Sequence, residues 1–366
     1  MRIVQLANFY APASGGLRTT LDALGRGYTA AGHQRVLVVP GRGYARVCDG
    51  DTGVRLTLPG VPVGGGYRMV LSRARLHRLL DRLAPDSLEV SDKLTLVHTA
   101  HWARQRGVRA VLFSHERLDA ILAPRLPGRL PLRRPADAWN RRLATAFDAV
   151  VVASAFARAE FERVAAPRLH QVPLGVDLSV FAPRPAARLP SPAVRLVYCG
   201  RLSAEKCPHL AIEVLRELTR RGMAARLHML GDGPQRRGLE RRAAGLAVRF
   251  HGHLADRRAV AALTAAADVA LVPCPVEAFG LSALEALACG TPVVTADRGA
   301  AHELLVSGAG LAAPASGPAL AGAVVQLLAG PEPLRRTAAR RRAEEFPWSA
   351  AVSRMLAVHR GQPPPA

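Results

Sequence analysis

The chain has 366 residues, 49% of them hydrophobic, which is enough for two domains of ordinary size. Its five cysteines are odd in number and no pair has CxxC spacing, which favours reduced thiols in a cytosolic protein over a disulfide framework or a zinc site. The net charge of +22 is nearly all arginine, only Lys93 and Lys206 being lysines. A composition bias explains part of it and an anionic partner the rest. With no aromatic interleaving, zinc finger or RNP-like run, the charge does not point to nucleic acid.

In chain order, Ile3–Ala7 reads as a buried strand, too short for a signal peptide. A helix follows with Leu17, Leu21, Leu24, Tyr28 and Ala31 on one face and Gly32 as its stop. Val36–Val39, Ala110–Phe113 and Ala149–Ala153 are further short apolar runs, so the first half has the alternation of a parallel sheet covered by helices. Between them, Asp49-Gly50-Asp51 resembles a metal motif but lies among glycines and reads as a hairpin turn. Arg68–Leu83 reads as a basic amphipathic helix that covers a sheet; an anionic membrane is its other possible neighbour. His98 and His101 lack a third ligand nearby in sequence.

Prolines and weak apolar periodicity mark 182–193 as a linker. A cleaner series then runs Arg195–Cys199, helix Pro208–Arg221, Arg226–Leu230, helix Pro234–Ala244, Val248–Phe250, helix Arg257–Ala266, Val269–Val272, helix Leu281–Ala288, Pro292–Thr295. The pattern predicts an α/β protein with two Rossmann-like, doubly wound parallel sheets. The expected domains are 1–181, the linker 182–193 and 194–345, with a terminal segment 346–366. No stretch reaches the roughly 20 apolar residues of a membrane span.

Ligands of open parallel sheets bind outside the carboxyl ends of the strands. Four such loops in the second half carry polar groups: Gly200-Arg201-Leu202-Ser203-Ala204-Glu205-Lys206, Gly231-Asp232-Gly233-Pro234, His251-Gly252-His253, and the run from Glu277 to Glu285. Arg201 and Lys206 suit a diphosphate, one as a planar fork of donors and the other as a point charge; an ordinary solvated loop is the plain alternative. Gly280, Leu281 and Ser282 stand at a helix start, where free amides and the helix dipole favour an anion. Glu285 can accept two sugar hydroxyls, or be simply a favourable acid in an early helical turn. Glu277 lies one loop nearer the cleft. Gly15-Gly16 after the first strand permits close approach of a phosphate or sugar, but the G-x-G-x-x-G of nicotinamide enzymes is absent. His115, at the end of Ala110–Phe113, can bind a substrate hydroxyl or assist proton transfer, or serve structure alone.

Taken together, G-R-L-S-A-E-K (200–206), G-D-G-P (231–234), E-A-F-G-L-S-A-L-E-A-L-A-C-G-T-P-V-V (277–294), the early Gly15-Gly16 and V-P-L-G-V-D-L-S-V-F-A-P (172–183) resemble the family-4 retaining glycosyltransferases (glycosyl transferases group 1) of GT-B fold. Leu174 stands where an Asn is more usual. The resemblance implies two Rossmann-like domains facing a cleft, with 346–366 crossing back to the first domain from Phe346-Pro347-Trp348, and transfer of a hexosyl unit from a nucleotide sugar with retention. It implies Arg201 and Lys206 on the donor diphosphate, Glu285 on the ribose and Glu277 on the transferred sugar. The backbone of Phe279, Gly280, Leu281 and Ser282 would lie on sugar and phosphates. Gly231, Asp232, Gly233 and His253 would lie near the nucleotide. Gly15 and Gly16 would face the diphosphate from the first domain, with His115 near sugar and acceptor. It implies no cofactor and no metal, the nucleotide sugar being a co-substrate.

GDP-mannose is slightly favoured as donor over a UDP-sugar, with a glycan, a lipid or a small molecule as acceptor. The expected setting is cytoplasmic, with peripheral contact to an anionic membrane on its inner face as an option and no nucleic-acid partner. A nucleotide-sugar epimerase of the same fold and a non-catalytic basic binding protein are the competing readings.

Overall fold

A computed structural model describes residues 1–10, 15–64, 66–119, 133–184 and 193–365. The chain divides into two compact units, one of Met1–Leu174 with Trp348–Ala366 and one of Gly175–Pro347. Most of the expected linker, 185–192, lies outside the described residues.

In the first unit the strands are β1 (Arg2–Leu6), β2 (Gln34–Gly41), β3 (Ala45–Cys48), β4 (Val54–Pro59), β5 (Val61–Gly64), β6 (Tyr67–Met69), β7 (Ser87–Val90), β8 (Arg109–Ser114), β9 (Ala149–Val152) and β10 (Leu169–Gln171). Eight form one sheet in the order β10-β9-β8-β7-β1-β2-β4-β3, and β5 and β6 pair separately. Winding reverses between β1 and β7, which run parallel with Val4 opposite Leu88. The sheet is not wholly parallel as expected: β3 returns antiparallel along β4 as an edge strand. The turn joining them holds Asp49-Gly50-Asp51, where Asp49 Oδ1 accepts from Arg55 Nη2 at 3.2 Å. The helix expected from Arg68 begins at Arg73. Arg68 belongs to β6, and its guanidinium donates to the carbonyls of Gly41 and Gly60. Leu76 and Leu80 are buried and Leu79 and Leu83 pack on the core, so this helix covers the sheet.

The chain's last helix, Trp348–Arg360, belongs to the first unit. His359, 3% exposed, reaches Glu89 Oε2 at 3.1 Å and Ser87 Oγ at 2.8 Å. Glu89, wholly buried on β7, also accepts from Tyr28 at 2.8 Å and Gln5 at 2.8 Å. Burial alone would raise the Glu89 carboxyl, yet the hydrogen bonds and charge of His359 hold it below the usual range.

The second unit has β11 (Val194–Cys199), β12 (Ala225–Leu230), β13 (Val248–Gly252), β14 (Val269–Val272), β15 (Val293–Ala296) and β16 (Gly310–Ala313). They form one parallel sheet in the order β13-β12-β11-β14-β15-β16. Its switch point lies between β11 and β14, where Leu196 is opposite Val269. Pro208 occupies the first turn of helix Pro208–Arg220, where its missing amide costs nothing. Helix Leu281–Ala288 ends at Cys289-Gly290, with Gly290 at φ +69° as a left-handed stop.

Helix Gly16–Ala30 meets the last helix at Gly27, where a Cβ would lie 2.1 Å from Val352 Cγ2. Removing a glycine from a helix interior ordinarily gains ~0.5–1 kcal/mol. Here Gly27→Ala overpacks the contact and is expected to lose about 1–3 kcal/mol in thermal or urea unfolding. Val352→Ala should recover part of that loss in the double variant, a coupling absent between distant sites.

Candidate active site

The loops after β11 and β14 meet at the switch point because no strand separates them. The loop after β11 is fixed from beneath. Tyr198, 3% exposed, donates its hydroxyl to the Arg201 carbonyl at 3.2 Å, and Gly200 carries no side chain because a Cβ there would stand 3.1 Å from that hydroxyl. Cys274 Sγ, at the end of β14, donates to the Glu205 carbonyl at 3.0 Å. Ser203 Oγ donates to Glu205 Oε1 at 2.7 Å. A short 3₁₀ turn, Ala204–Lys206, results, and Cys207 closes it in the left-handed region at φ +48°.

Lys206 Nζ then reaches across to Glu277 Oε2 at 2.7 Å, with side chains 35% and 16% exposed. Burial would lower the Lys206 ammonium, but the Glu277 carboxylate outweighs it and the net shift is upward. Lys206 is therefore a permanent cation. One of its three donors engages Glu277, which leaves two for an incoming anion. Glu277 is held by its backbone as well: its carbonyl accepts from Ala300 N at 2.7 Å, and a Cβ on Gly299 would lie 3.0 Å from its amide.

Two residues on, Phe279 is 6% exposed and sets its ring edge-on to Phe346 at 6.5 Å. Gly280, at φ +99°, turns the chain into helix Leu281–Ala288, whose first amides have no partner inside the helix. Leu281 and Ser282 are partly exposed. Glu285 Oε1 pairs with Arg257 Nη2 at 2.7 Å, and Arg257 lies over the Phe181 ring at 4.9 Å. Burial raises the Glu285 carboxyl, and Arg257 opposes that rise.

The loops after β12 and β13 close against the same end. Gly231 N donates to Gly252 O at 2.8 Å, and Leu202 N to Asp232 O at 3.0 Å. Gly231 stands at φ +132°, and a Cβ there would meet the Gly200 carbonyl at 2.0 Å. A Cβ on Gly233 would stand 2.5 Å from the Leu202 carbonyl oxygen. Asp232 and His253 are exposed. Thus Arg201, Lys206, Gly231–Gly233, Glu277, Phe279–Ser282 and Glu285 share one sheet end. Arg257, Tyr198 and Cys274 were not singled out from sequence. Tyr198 and Cys274 sit at strand ends beside residues that were.

In the first unit, Gly15 and Gly16 open the helix after β1, and both are exposed. Pro12-Ala13-Ser14 lies outside the described residues. His115 follows β8, stacks on Phe113 at 4.2 Å and places Nε2 3.2 Å from Ser91 Oγ. Burial pushes its pKa down to about 4, with Glu89 opposing and Lys93 adding to the fall. At neutral pH it is an uncharged hydrogen-bonding ring. His98 pairs with His77 at 2.9 Å, and among the described residues no three His, Cys, Asp or Glu side chains converge as a metal site.

Residues 193–330 match the family of glycosyl transferases group 1, and residues 14–180 match Glycosyltransferase Family 4. A GDP-mannose-dependent alpha-(1-6)-phosphatidylinositol dimannoside mannosyltransferase from Mycobacterium tuberculosis (strain ATCC 25177 / H37Ra) is 47% identical, over 98% of this chain and 96% of that protein. The chain belongs to glycosyltransferase family 4. A glycogen synthase from M. tuberculosis (strain CDC 1551 / Oshkosh) is 34% identical over 82% of this chain and 76% of its own length. Among solved structures, sucrose-phosphate synthase from Thermosynechococcus elongatus superposes with a TM-score of 0.80 at 22% identity, covering 98% of each chain. WaaG, a glycosyltransferase involved in lipopolysaccharide biosynthesis, gives 0.71 at 19%, covering 98% of this chain and 100% of its own. The chain is accordingly a retaining nucleotide-sugar glycosyltransferase of GT-B fold, as its motifs led us to expect.

Two outcomes follow from the geometry. Tyr198→Phe removes only the hydroxyl under the Arg201 carbonyl. It should raise the donor KM about 2- to 10-fold, the range for one ordinary hydrogen bond, in initial-rate assays. His115 binds its proton more weakly folded than unfolded. The unfolded chain therefore holds more protons between pH 6.5 and about 4, and stability falls as pH drops through that window. His115→Gln should flatten that part of the melting-temperature profile, while the share due to His98, also pushed down to about 4, persists.

Proposed function

We propose that this enzyme transfers a mannosyl unit from GDP-mannose to a mannosylated phosphatidylinositol lipid, with retention of anomeric configuration. The observation that carries the reading is 47% identity, over nearly the whole of both chains, to a mannosyltransferase named for that donor and a phosphatidylinositol dimannoside. The site chemistry agrees with it. Arg201, Lys206 and the start of helix Leu281–Ala288 supply positive potential for a departing diphosphate.

In this reading Glu277 receives hydroxyls of the transferred sugar and Glu285 those of the ribose. The amides of Phe279–Ser282 lie along sugar and phosphates. Gly231–Gly233, Asp232 and His253 border the nucleotide. The C1–O bond to the diphosphate breaks as the acceptor hydroxyl attacks the same face, and the leaving phosphate takes the hydroxyl proton. Neither Glu is an acid or a nucleophile in this scheme. Arg201 and Lys206 lower the barrier by holding charge that grows as the bond breaks. The first unit, through Gly15, Gly16 and a neutral His115, is assigned to the acceptor side. The second is assigned to donor binding. A lipid acceptor places the reaction at a membrane, on its cytoplasmic face where nucleotide sugars are made. No described helix is long and apolar enough to cross one.

Labelled mannose should pass from GDP-mannose to phosphatidylinositol dimannoside with the purified enzyme. Lys206→Ala should lower that rate by about 100-fold or more, as loss of one charge-stabilising group does, and Glu277→Ala by about tenfold or more, as loss of hydrogen bonds to a charged group does, each with melting temperature retained. GDP-mannose at 100 times its Kd should stabilise the fold by about 2.7 kcal/mol in a thermal-shift panel. Stabilisation by UDP-sugars alone would overturn the donor assignment, and mannose release without acceptor transfer would overturn the reaction.

A further inference from the structure

One buried hub in the first unit organises the carboxyl end of its sheet. Asn8, two residues past β1 and 2% exposed, accepts from Val70 N at 2.9 Å through Oδ1. Its Nδ2 donates to Thr95 Oγ1 at 2.6 Å and to Asp92 Oδ2 at 3.2 Å. Asp92, 3% exposed, in turn receives the amides of Leu94 at 2.7 Å and Thr95 at 3.0 Å. Three chain segments are thereby locked together: the end of β1, the exit of β6 and the turn after β7.

Each segment presents an apolar side chain to solvent. Phe9 follows Asn8, Leu71 follows Val70 and Leu94 follows Asp92 by two. The β5–β6 hairpin joins them, since Tyr67 meets the Phe9 ring at 5.9 Å. On β5, Val61 and Val63 are both exposed. These five side chains, Phe9, Val61, Val63, Leu71 and Leu94, are between 39% and 55% exposed. A single exposed leucine is ordinary. Five gathered on a rigid support built by buried polar bonds mark an interaction face.

The charge around them selects the partner. From Thr52 to Leu80 the chain holds five arginines and no acid. Arg73 and Arg75, exposed at the head of the helix after Leu71, have no carboxylate partner among the described residues, and neither does Arg42, exposed just past β2. Apolar side chains that can enter the acyl boundary, edged by unpaired guanidinium groups, match a bilayer with anionic headgroups.

We propose that this platform seats the enzyme on an anionic lipid bilayer, with Phe9, Val61, Val63, Leu71 and Leu94 in the interface and Arg42, Arg73 and Arg75 on the headgroups. The proposal rests on the reading of a lipid acceptor and adds the surface by which the enzyme reaches it. Helix Arg73–Leu83 is not the inserting element, because its leucines are packed on the core.

The test is flotation of the full chain with vesicles of phosphatidylcholine alone and of phosphatidylcholine mixed with phosphatidylglycerol, a lipid that is not the acceptor. Wild type should float with the anionic vesicles and be released by salt. Val63→Asp with Leu94→Asp should lower partitioning about tenfold or more on both vesicle types. Arg42→Glu with Arg73→Glu should lower it about tenfold or more on anionic vesicles only. Both variants should keep the wild-type melting temperature and its rise with GDP-mannose. Wild type that binds GDP-mannose but ignores both vesicles overturns the platform, as do variants that float like wild type. Vesicle binding without any GDP-mannose response overturns the functional reading and leaves the platform standing.

Discussion

Winding the second sheet outward in both directions from β11 and β14 leaves the loops after those strands facing one another, and the Lys206–Glu277 contact joins them. The two side chains come from positions 71 residues apart in the chain. A pair this accessible adds only ~0–1 kcal/mol to stability. Its weight lies in position. A cation and a carboxylate are set side by side where strand order reverses, next to a helix start that adds positive potential. The tight backbone contacts around it follow from the same requirement. Gly200, Gly231, Gly280 and Gly299 each stand within about 3 Å of a neighbour that a side chain would strike. The loops can therefore approach a ligand through their backbone amides.

Both lysines of this arginine-rich chain are paired with a glutamate. Lys93, 8% exposed, forms a close ion pair with Glu160 and lies 5.3 Å from the Phe161 ring. Glu160 uses its other oxygen to accept from Leu118 N at 3.1 Å. An ammonium is a compact charge that fits one carboxylate oxygen, whereas a guanidinium presents a broad planar fork. Lys93 makes its pair inside a core, and Lys206 makes its pair beside an open site. Scarcity of lysine singles out these two positions in the sequence. It did not by itself separate a structural pair from a functional one.

The second sheet was legible because its strands are apolar runs with glycine or proline at their ends, and buried parallel strands have that composition. The first was less so. β7 reads Ser-Leu-Glu-Val, and nothing local shows that Glu89 is buried; its partners Tyr28 and His359 are 61 and 270 residues away. β3 to β6 are short edge and hairpin strands among glycines, and their burial pattern is weak. The site followed the same division. Lys206, Glu277 and the helix start were readable as motif and spacing. Arg257 was hidden, because its contact with Glu285 depends on how two helices pack rather than on either helix's sequence.

That last contact bears on how the site handles charge. Burial raises the Glu285 carboxyl, and a carboxyl loses acceptor capacity once protonated. Arg257 counters the rise, its Nη2 donating to Oε1 at 2.7 Å. The Phe181 ring lies against the guanidinium at 4.9 Å and adds a cation–π contact to a side chain that is 45% exposed. The two glutamates of the motif are therefore each balanced by a cation brought from another segment, Lys206 for Glu277 and Arg257 for Glu285. Two carboxylates on one helix approach would otherwise repel each other. Pairing each with its own cation leaves the helix start and the remaining donors of Lys206 with net positive potential. Such an arrangement keeps two carboxylates beside a helix start without cancelling its positive potential.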